Sequence, residues 1–291
     1  VENQYERQTK QQAAEKDHNS HRRTAGKEHK THRRTETPTS RPLLSPTVGL
    51  DMEDDVLVAE VQRRLVNPSD HSGGGAGYNL TKPEKTYFSQ VQQDELVAKI
   101  FRNKTGGFFL EAGALDGEYL SNTLYLERAL NWSGVLIEPH PTSFKKLINK
   151  NRRAYKLSAG LAPTNKSSQI KLDLKGNYPE LAKLLRKVKD QKGKHVVTVD
   201  CFPLFTVLLA LGNPIIDLMA LDIEGLEFLV LQTIPWSKVR VRLLMIEMNH
   251  LSASPAVVNM YLRRQGFKFY KTIGVDAIFY NPKLAQDMLI S

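Results

Sequence analysis

The sequence predicts an α/β fold, a doubly wound Rossmann-like sandwich with a mostly parallel seven-stranded sheet and a C-terminal antiparallel strand. From about residue 81 onward, short apolar runs alternate with helical segments. This alternation is typical of a parallel sheet that is covered on both faces. Right-handed crossovers then place helices on both sides of the sheet. The last two apolar runs, "FKFYKT" and "DAIFYNP", predict an antiparallel pair.

The elements follow in a regular order. The first predicted element is an amphipathic helix over "SQVQQDELVAKIFRN". It is predicted because its apolar residues recur at helical spacing. The predicted strands are "GFFLEAG", "GVLIEP", "AYKLSAGL", "QIKLDL", "HVVTVDCF", "IDLMALDIEG" and "VRLLMIEMN". The predicted helices between them are "YLSNTLYLERAL", "TSFKKLINKN", "YPELAKLLRKVKDQ", "PLFTVLLAL", "LEFLVLQTI" and "SPAVVNMYLRRQG".

Residues 1–80 differ in composition from the rest of the chain. The first part is basic and rich in histidine with almost no apolar residues, which predicts a disordered stalk. A short helix over "DMEDDVLVAEVQRRLV" and a Gly-rich linker, "NPSDHSGGGAGYN", follow the stalk. We therefore place the globular domain at residues 81–291.

The positive charge is concentrated in residues 145–194, which hold fifteen Lys/Arg against three Asp/Glu. Such a block is compatible with nucleic-acid binding. Its aromatic residues are sparse, however, and do not provide the stacking platforms that single strands need. A solvated helix face, or a patch for acidic proteins or headgroups, is favoured over nucleic acid.

The stretch "EAGALDG" ends the first predicted strand and predicts a cofactor loop. Gly113 allows close approach of a ligand to the backbone, Gly117 allows a tight turn, and Glu111 and Asp116 lie beside them. The loop lacks the G-x-G-x-x-G fingerprint, and its acids disfavour phosphate. Asn122, a few residues further on, either caps the next helix or contacts the ligand.

Glu138 ends the second strand, 27 residues after Glu111. An acid at this place commonly accepts hydrogen bonds from ribose hydroxyls. A glycine loop, a second-strand acid and no phosphate cradle together favour S-adenosyl-L-methionine over NAD. The candidate cofactor-binding residues are Glu111, Gly113, Asp116, Gly117, Asn122 and Glu138.

Acids also follow two later strands. "ALDIEGLE" delivers Asp222, Glu224 and Glu227, and "IEMNH" delivers Glu247 and His250. Of these, Asp222, Glu224, Glu247 and His250 are the candidate catalytic residues, as general bases at the edge of the sheet. The alternative to general bases is a binding site for a hard metal ion, which prefers oxygen ligands. We assign no metal ligand from the sequence.

From about residue 86 to 282 the chain resembles the FkbM-type methyltransferase domain. Four segments carry this resemblance: "FFLEAGALDGEYLSNT", "GVLIEPHP", "VDCFPLF" and "DLMALDIEGLEFLVLQTI". "WSGVLIEPHP" and "KNRRAYKLSAGL" are most similar to its animal Star-like branch. The resemblance implies the S-adenosylmethionine methyltransferase type of fold. It also implies that Glu111, Gly113, Asp116 and Glu138 line the cofactor pocket and that Asp222 and Glu224 stand at the reaction end. Many members have a lysine where this chain has Ala220, which puts activity in question.

The sequence leaves two functions open. One is an O-methyltransferase that acts on an unknown small molecule or glycan. The other, implied by the Star-like resemblance, is a lumenal protein of the secretory pathway (endoplasmic reticulum, Golgi or endosome) that escorts membrane-bound EGF-type growth-factor precursors. Four Asn-x-Ser/Thr triplets favour a lumenal place over a cytoplasmic one, and we expect any membrane anchor to lie outside this chain. The triplets begin at Asn79, Asn103, Asn131 and Asn165.

Overall fold

A computed structural model describes residues 47–69, 77–173 and 196–290. All of them belong to one structural unit, residues 44–291. The predicted stalk up to residue 46, residues 70–76 of the predicted linker and the predicted basic helix at 178–191 lie outside the described residues.

The main sheet of the described chain has seven strands in the order β3-β2-β1-β7-β8-β10-β9. Only β10 runs against its neighbours, because it pairs antiparallel with both β8 and β9. The predicted fold class is confirmed, including the antiparallel strand near the C-terminus. The strands are β1 (Phe108–Ala112), β2 (Ser133–Ile137), β3 (Tyr155–Leu157), β7 (Ile216–Leu221), β8 (Val241–Glu247), β9 (Lys268–Ile273) and β10 (Asp276–Tyr280).

Three further strands form a separate small sheet, in the order β4-β6-β5. They are β4 (Gly160–Leu161), β5 (Ser168–Asp173) and β6 (Val196–Phe202). The sequence predicted β5 and β6 but not their separation from the main sheet, and it predicted one strand, "AYKLSAGL", where the structure has β3 in the main sheet and β4 in the small one. Apolar alternation identifies a strand without identifying its partner.

Helices cover the main sheet on both faces, and two separate groups of buried apolar side chains pack against it. The helices of the described residues are α1 (Asp55–Arg64), α2 (Gln93–Ile100), α3 (Leu124–Leu130), α4 (Pro141–Asn149), α5 (Leu204–Ala210), α6 (Glu227–Thr233) and α7 (Pro255–Arg264), with a 3₁₀ turn at Pro282–Leu284.

The helix predicted over "YLSNTLYLERAL" is shorter than expected, since α3 begins only at Leu124. Glu111 accepts hydrogen bonds from the Asn122 N–H and from the hydroxyls of Ser121 and Thr123. These bonds hold the preceding residues in a turn instead of a helix. Thr123, not Asn122, is the N-cap residue, so the capping role considered for Asn122 is wrong.

Helix α1 belongs to the packed unit although it precedes residue 81. Leu57 and Val61 are fully buried in the same apolar cluster as the sheet residues, and α1 lies against α5. The predicted short helix is therefore present, and it contributes to the core.

The ends of the central strands define the position of a ligand crevice. Strand β1 lies between β2 on one side and β7 on the other. Strands β2 and β3 are added on one side of β1, and β7 and β8 on its other side, so the strand order switches sides between β1 and β7. In open α/β sheets, ligands bind outside the carboxyl ends of the strands at such a switch point.

Part of the basic block is internal. Arg152 and Lys156 are 0% and 1% exposed. Arg152 forms an ion pair with the buried Glu127, and the Lys156 ammonium donates to the carbonyl of Arg152. These charges hold the domain together and do not contribute to a surface patch.

No helix of the described chain is both long enough and apolar enough to cross a bilayer.

Candidate functional site

Two adjoining pockets open at the carboxyl ends of β1, β2 and β7. They meet at Gly113 and Asp222, which line both. The first, which we call the apolar pocket, holds about 650 Å³ of space with its open mouth included. Its walls include Ile137, Leu161, Ile170 and Leu226, with the carboxylates of Glu138, Asp222 and Glu224.

The second pocket, which we call the acidic pocket, lies on the other side of the β1 loop. Glu111, Asp222 and Asp276 line it, together with Asn122 and Ala220. Its described walls carry no Lys or Arg side chain. The electrostatic potential in this pocket therefore favours a cation over an anion.

Glu111 ends β1 and organises the loop that follows it. Its carboxylate is buried and accepts hydrogen bonds from the Ser121 hydroxyl (3.1 Å) and the Asn122 N–H (2.7 Å), and from the Thr123 hydroxyl. Burial raises the pKa of Glu111, while the charge of Arg152 opposes that shift. The side chain thus fixes the walls of the acidic pocket from below.

Asn122 also lines the acidic pocket. The Oδ1 atom is buried and receives no hydrogen bond from a described residue. Because a buried carbonyl oxygen without a donor is costly, this atom suits a ligand that carries N–H groups.

Gly113 takes a left-handed φ of +87°, and a Cβ there would overlap the carbonyl oxygen of Asp222. The glycine is required by the close approach of the β1 and β7 loops, in addition to lining both pockets.

Gly117 also has a positive φ, +78°. The Asp116 carboxylate accepts from the N–H groups of Glu118 and Tyr119 and closes this turn. Asp116 and Gly117 do not line either pocket.

Glu138 reaches into the apolar pocket from the end of β2. Its two oxygens accept hydrogen bonds from the N–H groups of Leu115 and His140, both at 2.8 Å. The residue is 1% exposed, and burial raises its pKa to about 7. A carboxylate held in this way has lone pairs left for a hydroxyl donor in the pocket.

Asp222 and Glu224 follow the end of β7 at Leu221, in a loop rather than in the strand. Glu224 has a φ of +57°, and Gly225 after it has +100°. This left-handed backbone turns both acids toward the apolar pocket. Asp222 is exposed at the pocket mouth, yet burial of its carboxylate among the strand ends and the nearby Glu224 raise its pKa to about 7.

Glu247 ends β8 and lies close to Asp222. Burial, followed by the charge of Asp222, raises the pKa of Glu247 to about 8. His250 is mostly exposed, and its Nδ1 lies 3.4 Å from a Glu247 oxygen and 3.6 Å from a Glu224 oxygen. The structure therefore brings the four predicted catalytic residues to one edge of the sheet.

Two further acids, Glu227 and Asp276, lie at this edge. Glu227 opens α6 with no exposed surface, and Asp276 opens β10 and accepts a 2.7 Å hydrogen bond from the Gln93 amide. Glu227 stands in the quoted "LDIEGLE" block, so the sequence already grouped it with Asp222 and Glu224. Nothing in the sequence identifies Asp276, because β10 reaches the site only through its antiparallel pairing with β8.

The arrangement has distinct chemical ends. The apolar pocket offers hydrocarbon walls and a buried acid, and suits a ring system with hydroxyl groups. The acidic pocket suits a cationic group. Carboxylates with pKa values near 7 to 8 lie where the two meet and can take a proton at neutral pH.

Comparison with known proteins gives one family. The sequence model of the methyltransferase FkbM domain matches residues 111–269, more than half of the 291-residue chain. No curated protein matches the chain significantly.

Two solved structures align with the chain at low identity. One, provisionally described as a sarcosine dimethylglycine methyltransferase from Galdieria sulphuraria, aligns at 12% identity with a TM-score of 0.33. That alignment covers 62% of this chain and 63% of the other, which is less than two thirds of that protein. Another, provisionally described as an rRNA methylase from Clostridium thermocellum, aligns at 6% identity with a TM-score of 0.31, covering 65% of this chain and 92% of the other.

Proposed function

The chain belongs to the FkbM methyltransferase family, and from this premise we propose that it binds S-adenosyl-L-methionine across the two pockets and methylates an oxygen nucleophile. One observation carries the proposal: Glu138 and the acidic pocket lie on opposite sides of the Gly113 loop, at the switch point of the sheet. The distribution of apolar, hydroxyl-binding and anionic walls matches the chemistry of this cofactor.

The residues fit the cofactor group by group. Leu161, Ile170 and Leu226 offer an apolar slot for the adenine ring, and Glu138 offers acceptor lone pairs for the ribose hydroxyls. The unpartnered Oδ1 of Asn122 and the carboxylates of the acidic pocket suit the ammonium end. The described walls present no cation that would repel the sulfonium.

When bound, S-adenosylmethionine supplies a methyl group on a positively charged sulfur. The contribution of the protein is to position an acceptor hydroxyl and to remove its proton. Asp222 lines both pockets, so a carboxylate oxygen of Asp222 is the best-placed proton acceptor. Glu224 and His250 lie at the same edge and can pass the proton to solvent, because both are partly exposed.

Ala220 occupies the wall of the acidic pocket, where many members of the family have a lysine. Without that ammonium, the proton-removing role falls to the carboxylates. The proposal therefore places the base on Asp222.

Thermal unfolding with S-adenosylhomocysteine tests the cofactor proposal. Ligand at 100 times its Kd stabilises the folded state by about 2.7 kcal/mol, which raises Tm by roughly 5–10 °C for a domain of this size. We expect Glu138→Ala to abolish the shift and Glu84→Gln, which alters an exposed acid, to keep it. No shift in the wild-type protein, or an unchanged shift in Glu138→Ala, would contradict the proposal.

A second function rests on the Star-like resemblance, namely a lumenal protein that escorts membrane-bound EGF-type growth-factor precursors through the secretory pathway. One structural observation favours a lumenal place: the asparagines of all four Asn-x-Ser/Thr triplets are exposed. An exposed asparagine can carry a glycan without disturbing the core. The residues are Asn79, Asn103, Asn131 and Asn165.

Two measurements separate these proposals. Expression in animal cells followed by glycosidase digestion should shift the mass of the wild-type protein, and Asn131→Gln should reduce that shift; an unglycosylated protein argues for the cytoplasm. For the escort role, a growth-factor precursor should co-purify equally with the wild type and with Asp222→Ala. Loss of the precursor in Asp222→Ala would instead link the interaction to the cofactor site.

A further inference from the structure

Glu227 is buried beneath the catalytic edge with half of its carboxylate unused. Its Oε1 accepts hydrogen bonds from the N–H groups of Ile223 (2.7 Å) and Gly225 (3.3 Å). Its Oε2 is buried and has no hydrogen-bond donor among the described residues. The residue has no exposed surface, so bulk water does not supply the missing donor.

Glu247 repeats this feature from the neighbouring strand. The residue is 7% exposed, and its Oε2 is also buried without a donor from the described chain. Its other oxygen lies 3.4 Å from His250 Nδ1. Two neighbouring elements therefore each place a buried carboxylate oxygen without a donor at this edge of the sheet.

Asp222 completes the group, which we call the carboxylate cluster. One carboxylate oxygen from each of Asp222, Glu227 and Glu247 lies within 4.8 Å of the others. Three like charges at this separation repel strongly in a partly buried place. Buried charges are stabilised by a partner of opposite sign or by a metal ion.

We propose that the carboxylate cluster of Asp222, Glu227 and Glu247 is a binding site for one hard divalent cation of the size of Ca²⁺. The ligands are oxygens, which such cations prefer. Oxygens on opposite sides of Ca²⁺ are about 4.6–5.2 Å apart, and around Mg²⁺ about 4.0–4.2 Å. The three oxygens all lie within 4.8 Å of one another, a separation that Ca²⁺ can bridge.

The position of the carboxylate cluster would let a bound cation act on the hydroxyl group that accepts the methyl group. Asp222 lines both pockets, so an ion on the cluster stands next to the place where an acceptor hydroxyl would lie. Coordination would orient that hydroxyl and lower its pKa. The cation site itself does not depend on S-adenosylmethionine binding, and its test uses no cofactor.

Isothermal titration calorimetry with CaCl₂ on the full, chelator-treated chain at pH 8 tests the proposal. We expect one saturable Ca²⁺ per chain at free concentrations below about 1 mM. Glu227→Gln and Glu247→Gln keep the shape of the side chain but remove its charge, and each should weaken binding at least tenfold. Glu84→Gln, an exposed acid elsewhere, is the matched control and should bind Ca²⁺ like the wild type.

The proposal is overturned if the folded wild type takes up no Ca²⁺ at 1 mM, which would mean that the cluster is held by shared protons. It is equally overturned if either variant binds as tightly as the wild type. Because Glu227 also holds the loop N–H groups, circular dichroism verifies that each variant is folded. If Glu227→Gln is unfolded, Glu247→Gln and Asp222→Asn carry the test.

Discussion

The main-chain carbonyl oxygen of Asp222 occupies the space that a side chain at Gly113 would need. The Asp222 N–H also donates to the carbonyl of Ala112, at 3.1 Å. The loops after β1 and β7 are thereby locked together at the point where the two pockets meet. Any residue larger than glycine at position 113 must move the acid that we propose as the base.

Gly113→Ala should destabilise the domain by at least about 2 kcal/mol, because overpacking and a positive φ each cost on the order of 1–3 kcal/mol. Gly212→Ala is the control, since Gly212 has a similar φ of +78° with open space where its Cβ would lie. Urea denaturation measures both free energies of unfolding. Equal losses in the two variants would show that the contact with Asp222 carries no extra cost.

The free energy of unfolding should fall as pH rises from about 5 to 8 in the presence of EDTA. Burial raises the pKa of Glu138 to about 7 in the folded protein, from its ordinary value of 4.5. The folded state therefore holds a proton that the unfolded state has released, and stability that is complete below pH 4.5 is lost through pH 7. The loss is on the order of 2–3 kcal/mol.

Urea denaturation at pH 5, 6, 7 and 8 measures this slope, and Glu138→Gln isolates the contribution of that carboxyl. The variant should lose one of the two N–H hydrogen bonds, since the amide nitrogen that replaces one carboxylate oxygen cannot accept it. Its slope between pH 5 and 7 should be flatter than that of the wild type. Identical slopes would assign the pH dependence to other groups, such as Asp222.

Arg152→Met should cost about 3–5 kcal/mol, because it leaves Glu127 charged and buried. Both side chains are fully buried, and their N–O distance is 3.0 Å. Arg152 also donates to the carbonyl of Gly117 and to the hydroxyls of Ser121 and Thr123, so the cofactor loop should loosen as well.

A double-mutant cycle with Glu127→Gln measures the coupling between the two charges. The double variant should recover part of the stability that Arg152→Met loses, since no uncompensated charge stays buried. Additive losses in unfolding free energy would indicate that the ion pair contributes nothing of its own.

Leu57→Ala in α1 should destabilise the domain by about 2–5 kcal/mol, as expected for a cavity in a packed core. Val56→Ala, on the same helix, should change stability by less than about 0.5 kcal/mol, because Val56 is 64% exposed. The midpoints of urea unfolding compare the two. A small effect of Leu57→Ala would mean that residues before 81 form no part of the cooperative unit.

The site residues that lie near one another in the sequence could be predicted from it. Glu111 lies near the end of β1 with Gly113 just after it, and Asp222 and Glu224 follow β7. Each short motif therefore contains the polar side chains of its part of the site. Strand periodicity identified the elements, and the carboxyl ends of parallel strands meet by geometry. Asp116, one of the predicted cofactor-binding residues, closes a turn, as its spacing from Gly117 allows, and does not line either pocket. Its contact with a cofactor stays a prediction.

The sequence by itself determined the order of strands and helices, the doubly wound class and the edge at which the acids meet. Only the tertiary structure decided that Leu161 and Ile170 of a separate sheet close the apolar pocket, that Asp276 reaches the acidic pocket, and that α1 belongs to the core. The physical reason is that side-chain periodicity reports which face of an element is buried. It does not report which distant element covers that face, because that contact depends on the packing of the whole chain.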